Sequence, residues 1–255
     1  MGQRLMCVVA HPDDECYGFG GALALAADRG VETYVVCMTD GQAATNRGSA
    51  ASSAELGAMR RAEFAASCEV LGVTQHELLD YQDAQLDNVP TIAAVKRLVE
   101  RMRRFRPNVV ITFGGDGGMN SHADHMMVSF WTTAAFHWAG QAKRFPSLGE
   151  PHKADRLFHL TTNFFLPERQ PPRPIPWTVQ LDIRTAGARK LKAFEVHRSQ
   201  AHLMKLTQPV VDGLSSEEFY TLMASSDPQP AQQWRDLFEG LDAPSPVFVQ
   251  DLQSK

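Results

Sequence analysis

A chain of 255 residues, 44% hydrophobic and 21% charged, is long enough to bury a full core as a single catalytic α/β domain. Its formal net charge of -4 at pH 7 argues against a protein that tracks phosphates, so no nucleic-acid partner is expected. No run approaches the roughly 18 uninterrupted apolar residues of a membrane span, and the first apolar run reaches His11 too soon for a signal peptide. A cytoplasmic protein with no membrane partner is therefore expected. Cys7, Cys16, Cys37 and Cys68 lack CxxC spacing and read as reduced thiols.

In chain order, apolar runs predict strands over Leu5 to Val9, Thr33 to Met38 and Val109 to Phe113. Weaker strand patterns cover Leu78 to Tyr81, Leu157 to Thr161 and Thr178 to Leu181. Helical patterns lie between them. Gly20 to Arg29 stops at Gly30, Ala54 to Leu71 stops at Gly72, and Thr91 to Phe105 stops before Pro107. Alternation of this kind predicts a Rossmann-like, doubly wound fold, with a mostly parallel sheet and helices on both faces. The expected core spans about residues 4–200, and a C-terminal helical extension covers 201–255. That extension includes a helix start at Ser215-Ser216-Glu217-Glu218 and an amphipathic piece around Trp234 to Leu241. Prolines gather at Pro167, Pro171, Pro172, Pro174 and Pro176, and a loose stretch runs from Ser225 to Pro230. The basic run Lys96, Arg97, Arg101, Arg103, Arg104 and Arg106 reads as a solvated helix face.

The chemistry concentrates after the first strand, in His11-Pro12-Asp13-Asp14-Glu15. Ligands of open α/β sheets bind beyond the carboxyl ends of strands, and imidazole and carboxylate are both ligand types that zinc accepts. So many carboxylates in one turn repel one another unless a cation or hydrogen-bond donors compensate. The competing reading is a helix cap formed by Asp13 or Asp14, with His11 bonded locally. A second group, Asn120-Ser121-His122-Ala123-Asp124-His125, follows the strand Val109 to Phe113 and a glycine-rich turn. Its two histidines are three apart at a helix start and face the same way. His11, Asp14 and one of His122 or His125 then make three ligands with a fourth position open, a catalytic zinc arrangement. Spacing leaves open which histidine binds.

These two groups resemble the signature of the PIG-L/LmbE family of zinc-dependent N-acetylglucosamine-type deacetylases. Further matches are Thr39-Asp40-Gly41, Arg60-Arg61-Ala62-Glu63, Asp80-Tyr81-Gln82-Asp83 and His197-Arg198-Ser199-Gln200. The resemblance implies that His11, Asp14 and His125 hold the metal, with Asp13 as general base and acid and His122 steadying the oxyanion. Zinc is the implied ion, and iron(II) or manganese suits the same ligands. It also implies that Asp40, Arg60, Arg61, Asp83 and His197 shape a pocket for a small amino-sugar substrate, and that the protein forms homo-oligomers. One departure is Ala123, where the family commonly has proline.

Asn46-Arg47-Gly48 and His197-Arg198-Ser199-Gln200 are similar to deacetylases of N-acetylglucosaminyl-malate in bacillithiol synthesis, where an arginine would pair with the malate carboxylates. Other readings are a thiol S-conjugate amidase, a deacetylase of another glycan or glycopeptide, and a sugar-binding protein without activity. His76, His137, His152, His159 and His202 have no motif around them and are expected to be structural or superficial.

Overall fold

β1, Arg4–Val9, lies at the centre of the sheet, and all but its first residue are buried. Its continuous apolar run is what a strand covered on both faces requires. The computed structural model describes residues 2–118, 120–162, 175–206, 215–227 and 233–241. Around β1 stand β2 (Glu32–Thr39), β3 (Gln75–Tyr81), β4 (Val109–Phe113), β5 (Arg156–Thr161), β6 (Val179–Asp182) and β7 (Glu217–Ser225). They form one seven-stranded sheet in the order β3-β2-β1-β4-β5-β7-β6. β3 through β5 are mutually parallel; β7 runs antiparallel to both β5 and β6.

The helices are α1 (Asp14–Tyr17), α2 (Gly20–Asp28), α3 (Ser53–Leu71), α4 (Thr91–Phe105), α5 (Ala123–Ala139), α6 (Gly187–Glu195) and α7 (Ala201–Leu206). α2, α3 and α6 pack together as one layer, and α4 packs on α5 as another. α3 begins at Ser52, whose hydroxyl accepts from the Glu55 amide at 3.2 Å, and ends at Gly72 in the left-handed region. α4 ends at Arg106, also left-handed, just ahead of Pro107. The doubly wound, mostly parallel fold expected from the sequence is the one observed.

The chain reverses its winding between β1 and β4, neighbours reached by connections going opposite ways from β1. Such a switch point opens a crevice at the carboxyl ends of the two strands, where ligands bind in these sheets. His11 follows β1 there, and His122 and His125 follow β4.

Three expectations need correction. The segment at Ser215 does not start a helix. From Glu217 it is β7, inserted between β5 and β6, so the sheet draws on residues placed outside the expected core. Trp234 forms a bridge to Val179, and the turns beyond it bury Leu237 and Phe238 without a helix. The basic face of α4 is only partly solvated: Arg101 is buried against Glu77, bonding it through Nε at 2.9 Å. Arg103 is buried and donates to the carbonyls of Ala139, Gln141, Phe145 and Arg144, closing the loop that follows α5. Of the clustered prolines, 167, 171, 172 and 174 lie outside the described residues. All four cysteines are buried and free.

Candidate active site

His11 is anchored by its own turn: its amide donates to Asp14 Oδ2 at 2.8 Å. Its Nε2 points at two carboxylates, Asp83 Oδ1 at 3.0 Å and Asp124 Oδ2 at 3.1 Å, so Nε2 carries the proton and Nδ1 turns to Asp14 Oδ2 at 3.5 Å. His125, the third residue of α5, has Nδ1 at 3.0 Å from the Gly117 carbonyl and therefore donates there. Its Nε2 faces Asp14 Oδ1 at 3.3 Å, and its ring stacks on Phe113 at 3.9 Å between centroids. The backbone contact and the stack hold the ring in one orientation.

His11, Asp14 and His125 can each present a ligand atom within 4.8 Å of the others, and all three are buried. His11, His122 and Asp124 are grouped as closely. That second set would draw on His11 Nε2, already engaged by two carboxylates, whereas the first uses His11 Nδ1 and His125 Nε2, which both face Asp14, itself a member of the set. Burial disfavours charge on His11, but its hydrogen bonds to the carboxylates of Asp124, Asp14 and Asp83 push its pKa well above the ordinary imidazole range. Burial likewise opposes ionisation of Asp14, but His125 and His11 hold its carboxyl well below the usual range. A buried imidazole retaining a proton among carboxylates is a place where a divalent cation can replace that proton. The nitrogen and oxygen donors present fit zinc, iron(II) or manganese.

Asp13 occupies the cap position of α1, but its side chain makes no capping bond, so the reading as a simple helix cap fails for it. Its backbone is left-handed, with φ 108°, a conformation that costs energy for a residue with a Cβ. Glu15 holds that conformation by accepting from the Asp13 amide at 2.9 Å. Glu15 is itself gripped by the Ser67 hydroxyl at 2.5 Å and by His197 Nε2 at 2.8 Å. Burial raises the Asp13 pKa to about 6 against the opposing charge of Arg60, whose Nη2 lies 3.0 Å from Asp13 Oδ2.

His122 caps α5 by accepting the Asp124 amide on Nδ1 at 3.1 Å. Burial, with His11 and His125 nearby, lowers its pKa to about 4. It is neutral near pH 7, with its proton on Nε2.

A cavity of about 390 Å³ opens over these groups. His11, Asp13, Asp14, Arg60, Asp83, His122 and His125 line its floor, and Thr45, Asn46, Asn120, Gln200 and His202 form its polar wall. Not every residue expected to contact substrate is there. Asp40 and Arg61 pair with each other at 3.0 Å and do not line the cavity. His197 is 1% exposed and lies behind Glu15. Arg60 does reach the cavity, but its guanidinium is spent on Asp13 and on the carbonyls of Gly41 and Pro12. Asp83 also lines it, with one oxygen on His11 and the other accepting the Ala43 amide at 3.0 Å.

Two contributions escaped the sequence reading. Asp124 lies inside the second motif, and its position between two histidines was the available signal. His202 reaches the wall from α7 and contacts Asn46, a pairing 156 residues apart that no local pattern reveals.

The family model described as GlcNAc-PI de-N-acetylase matches residues 6–136, just over half the chain and every residue of both motifs. The chain belongs to the PIG-L family. Among PIG-L relatives, the 1D-myo-inositol 2-acetamido-2-deoxy-alpha-D-glucopyranoside deacetylase of Rhodococcus erythropolis is 29% identical, over 94% of this chain and 98% of its own length. The mycothiol S-conjugate amidase of Streptomyces coelicolor is 33% identical over 56% of this chain and 55% of its own length. Among solved structures, N,N'-diacetylchitobiose deacetylase from Pyrococcus horikoshii superposes with a TM-score of 0.72 at 26% identity, covering 87% of this chain and 84% of that one.

Proposed function

We propose that this PIG-L protein is a divalent-metal-dependent hydrolase that removes the N-acetyl group from an N-acetylglucosamine derivative whose aglycone is polar and uncharged. The observation that carries the proposal is the placement of Asp13. A carboxylate with a pKa raised to about 6 faces the cavity beside three convergent ligand groups, with a neutral imidazole donor also on the floor.

Zinc held by His11, Asp14 and His125 would polarise the amide carbonyl and make water acidic enough to attack it near neutral pH. Asp13, as the carboxylate, takes a proton from the attacking water and later gives it to the departing amine; a pKa near working pH suits both directions. His122 donates its Nε2 hydrogen to the carbonyl oxygen as negative charge develops there. The amide C–N bond breaks, and acetate and a free amine leave. Arg60 orients Asp13 and keeps one of its oxygens occupied, so the other oxygen does the proton transfer.

The aglycone follows from the wall. Arg60 is the one arginine or lysine among the described lining residues, and both its terminal nitrogens are committed internally, while its Nε is buried. A malate aglycone would bring two carboxylates to a wall of Thr45, Asn46, Asn120, Gln200 and His202 that holds no free arginine or lysine among the described residues. An inositol, the aglycone in the name of the Rhodococcus relative, offers hydroxyls that suit these groups. The relation to the S-conjugate amidase supports a second reading, in which the same site cuts the amide of a thiol conjugate.

The test is primary-amine release by the zinc-loaded protein from N-acetylglucosaminyl-inositol, N-acetylglucosaminyl-malate, free N-acetylglucosamine and a mycothiol S-conjugate, with a chelated sample as control. We expect the inositol compound to give the highest kcat/KM. Preference for malate would overturn the aglycone assignment, and cleavage of the conjugate alone would establish the second reading.

A further inference from the structure

Asp83 bonds both the candidate ligand His11 and the loop that walls the cavity. One oxygen meets His11 Nε2 at 3.0 Å, and the other accepts the amide of Ala43 at 3.0 Å. Ala43 opens the stretch Ala43, Ala44, Thr45 and Asn46, which forms one wall of the cavity. Asp124 shares the same Nε2 hydrogen at 3.1 Å, but its other bonds go to the amides of Ala84 at 2.8 Å and Leu86 at 3.2 Å, in the loop that follows β3. Both carboxylates are buried, with side chains 7% and 1% exposed. Two acceptors therefore compete for one hydrogen on the His11 imidazole; Asp83 continues to the wall at residues 43–46, and Asp124 to the cavity-lining Ala84.

We propose that Asp83 is a positioning residue that couples occupancy of the metal site to the placement of the wall formed by residues 43–46, a stretch to which Asp124, bonded to Ala84 and Leu86, makes no such link. A cation bonded at His11 Nδ1 makes Nε2–H a stronger donor and tightens its grip on Asp83. The Ala43 amide is then held by a carboxylate that is itself fixed. By linkage, substrate resting on that wall favours metal retention by the same factor. The inference rests on the metal-hydrolase reading of the site.

The test uses zinc as the probe and the full chain. Apparent zinc affinity is measured by competition with a chromophoric chelator, and KM is measured at saturating zinc. We expect Asp83→Asn and Asp124→Asn each to weaken zinc roughly 10- to 100-fold. We expect Asp83→Asn, and not Asp124→Asn, to abolish the zinc-dependent change in hydrogen exchange at the Ala43 amide, and to raise KM by roughly fivefold or more. In the unsubstituted protein, hydrogen exchange at the Ala43 amide should slow when zinc replaces chelator, a readout that survives if either variant fails to fold. Unchanged exchange at Ala43, or a zinc-dependent change there that survives Asp83→Asn, overturns the coupling while leaving zinc binding intact. Failure of the unsubstituted protein to bind zinc at all would instead overturn the metal-hydrolase reading.

Discussion

Arg60 and Asp13 meet at 3.0 Å in an ion pair whose side chains are only 4% and 13% exposed. The guanidinium reaches that position by passing over Gly41, whose φ is +66°; a Cβ there would stand 2.1 Å from Arg60 Nη1. Gly41 is thus required both by its backbone conformation and by the arginine above it. Gly41→Ala is expected to displace the guanidinium, leave Asp13 misaligned, and lower kcat roughly 100-fold. Zinc content should be unaffected. Steady-state kinetics with metal analysis checks this, and an unchanged kcat would remove Arg60 from the alignment of Asp13.

Asp13→Asn keeps the shape of the side chain and removes its ability to accept a proton. kcat should fall by about 100- to 10,000-fold. The zinc stoichiometry should equal that of the unsubstituted protein. Loss of zinc from the variant would make Asp13 a ligand rather than the base.

His122→Ala removes the Nε2 donor and the Nδ1 cap of α5 together. The lost donor predicts a kcat lower by about 100- to 1,000-fold, with the lost cap costing about 1 kcal/mol of stability. His122→Asn separates the two, since a short polar side chain restores the cap without the same reach. Recovery of kcat along with stability in that variant would assign His122 to structure.

His159 of β5 is 4% exposed, and burial lowers its pKa from 6.5 to about 4. Thr133 donates its hydroxyl to the Ser129 carbonyl at 2.8 Å, so His159 Nε2 donates to Thr133 Oγ1 at 3.0 Å. Between pH 6.5 and 4 the unfolded chain binds a proton at this residue that the folded chain refuses. Stability is therefore full above pH 6.5 and declines as the pH falls towards 4. Between pH 7 and pH 5 the loss from this residue is about 2 kcal/mol. Urea unfolding at both pH values should show a smaller decline for His159→Leu than for the unsubstituted protein; parallel declines would refute it.

Lys190 and Glu218 form a buried pair at 2.6 Å, with side chains 4% and 1% exposed. Glu218 also accepts the amides of Gly21 and Ala22, at the start of α2, and the Tyr220 hydroxyl. Lys190→Met should destabilise the fold by about 3–5 kcal/mol because it leaves a buried carboxylate uncompensated. Adding Glu218→Gln should recover part of that. A double variant no more stable than Lys190→Met would mean that packing of the lysine stem, not charge, sets the cost.

Much of this architecture is legible in the sequence, for identifiable reasons. β1, β2 and β4 are buried on both faces and so read as unbroken apolar runs. β3 lies at the sheet edge and begins with Gln75, His76 and Glu77, so its pattern is visible only from Leu78. β7 is the instructive miss: Ser215-Ser216-Glu217-Glu218 has the composition of a helix cap, but Glu218 serves a different helix, α2, 197 residues away. The candidate ligands His11, Asp14 and one of His122 or His125 follow from residue types beside strand ends, and the choice of His125 from the family resemblance. The partners of His11 do not, because Asp83 and Asp124 come from separate loops that only the sheet order brings together. Arg60 lines the cavity, but its pairing with Asp13 is set by the fold and has no sequence signal, since the two are 47 residues apart.

The position of β7 also bears on how the molecule is made. Synthesis releases β1, β2, β4 and both site motifs first, but β5 gains its second neighbour, and Lys190 its counter-charge, only when residues 217–225 emerge. Until then the nascent chain carries an open strand edge in the body of its sheet, the kind of edge that pairs with other chains. The interval between translation of β5 and of β7 is therefore the period in which this protein has most need of a chaperone.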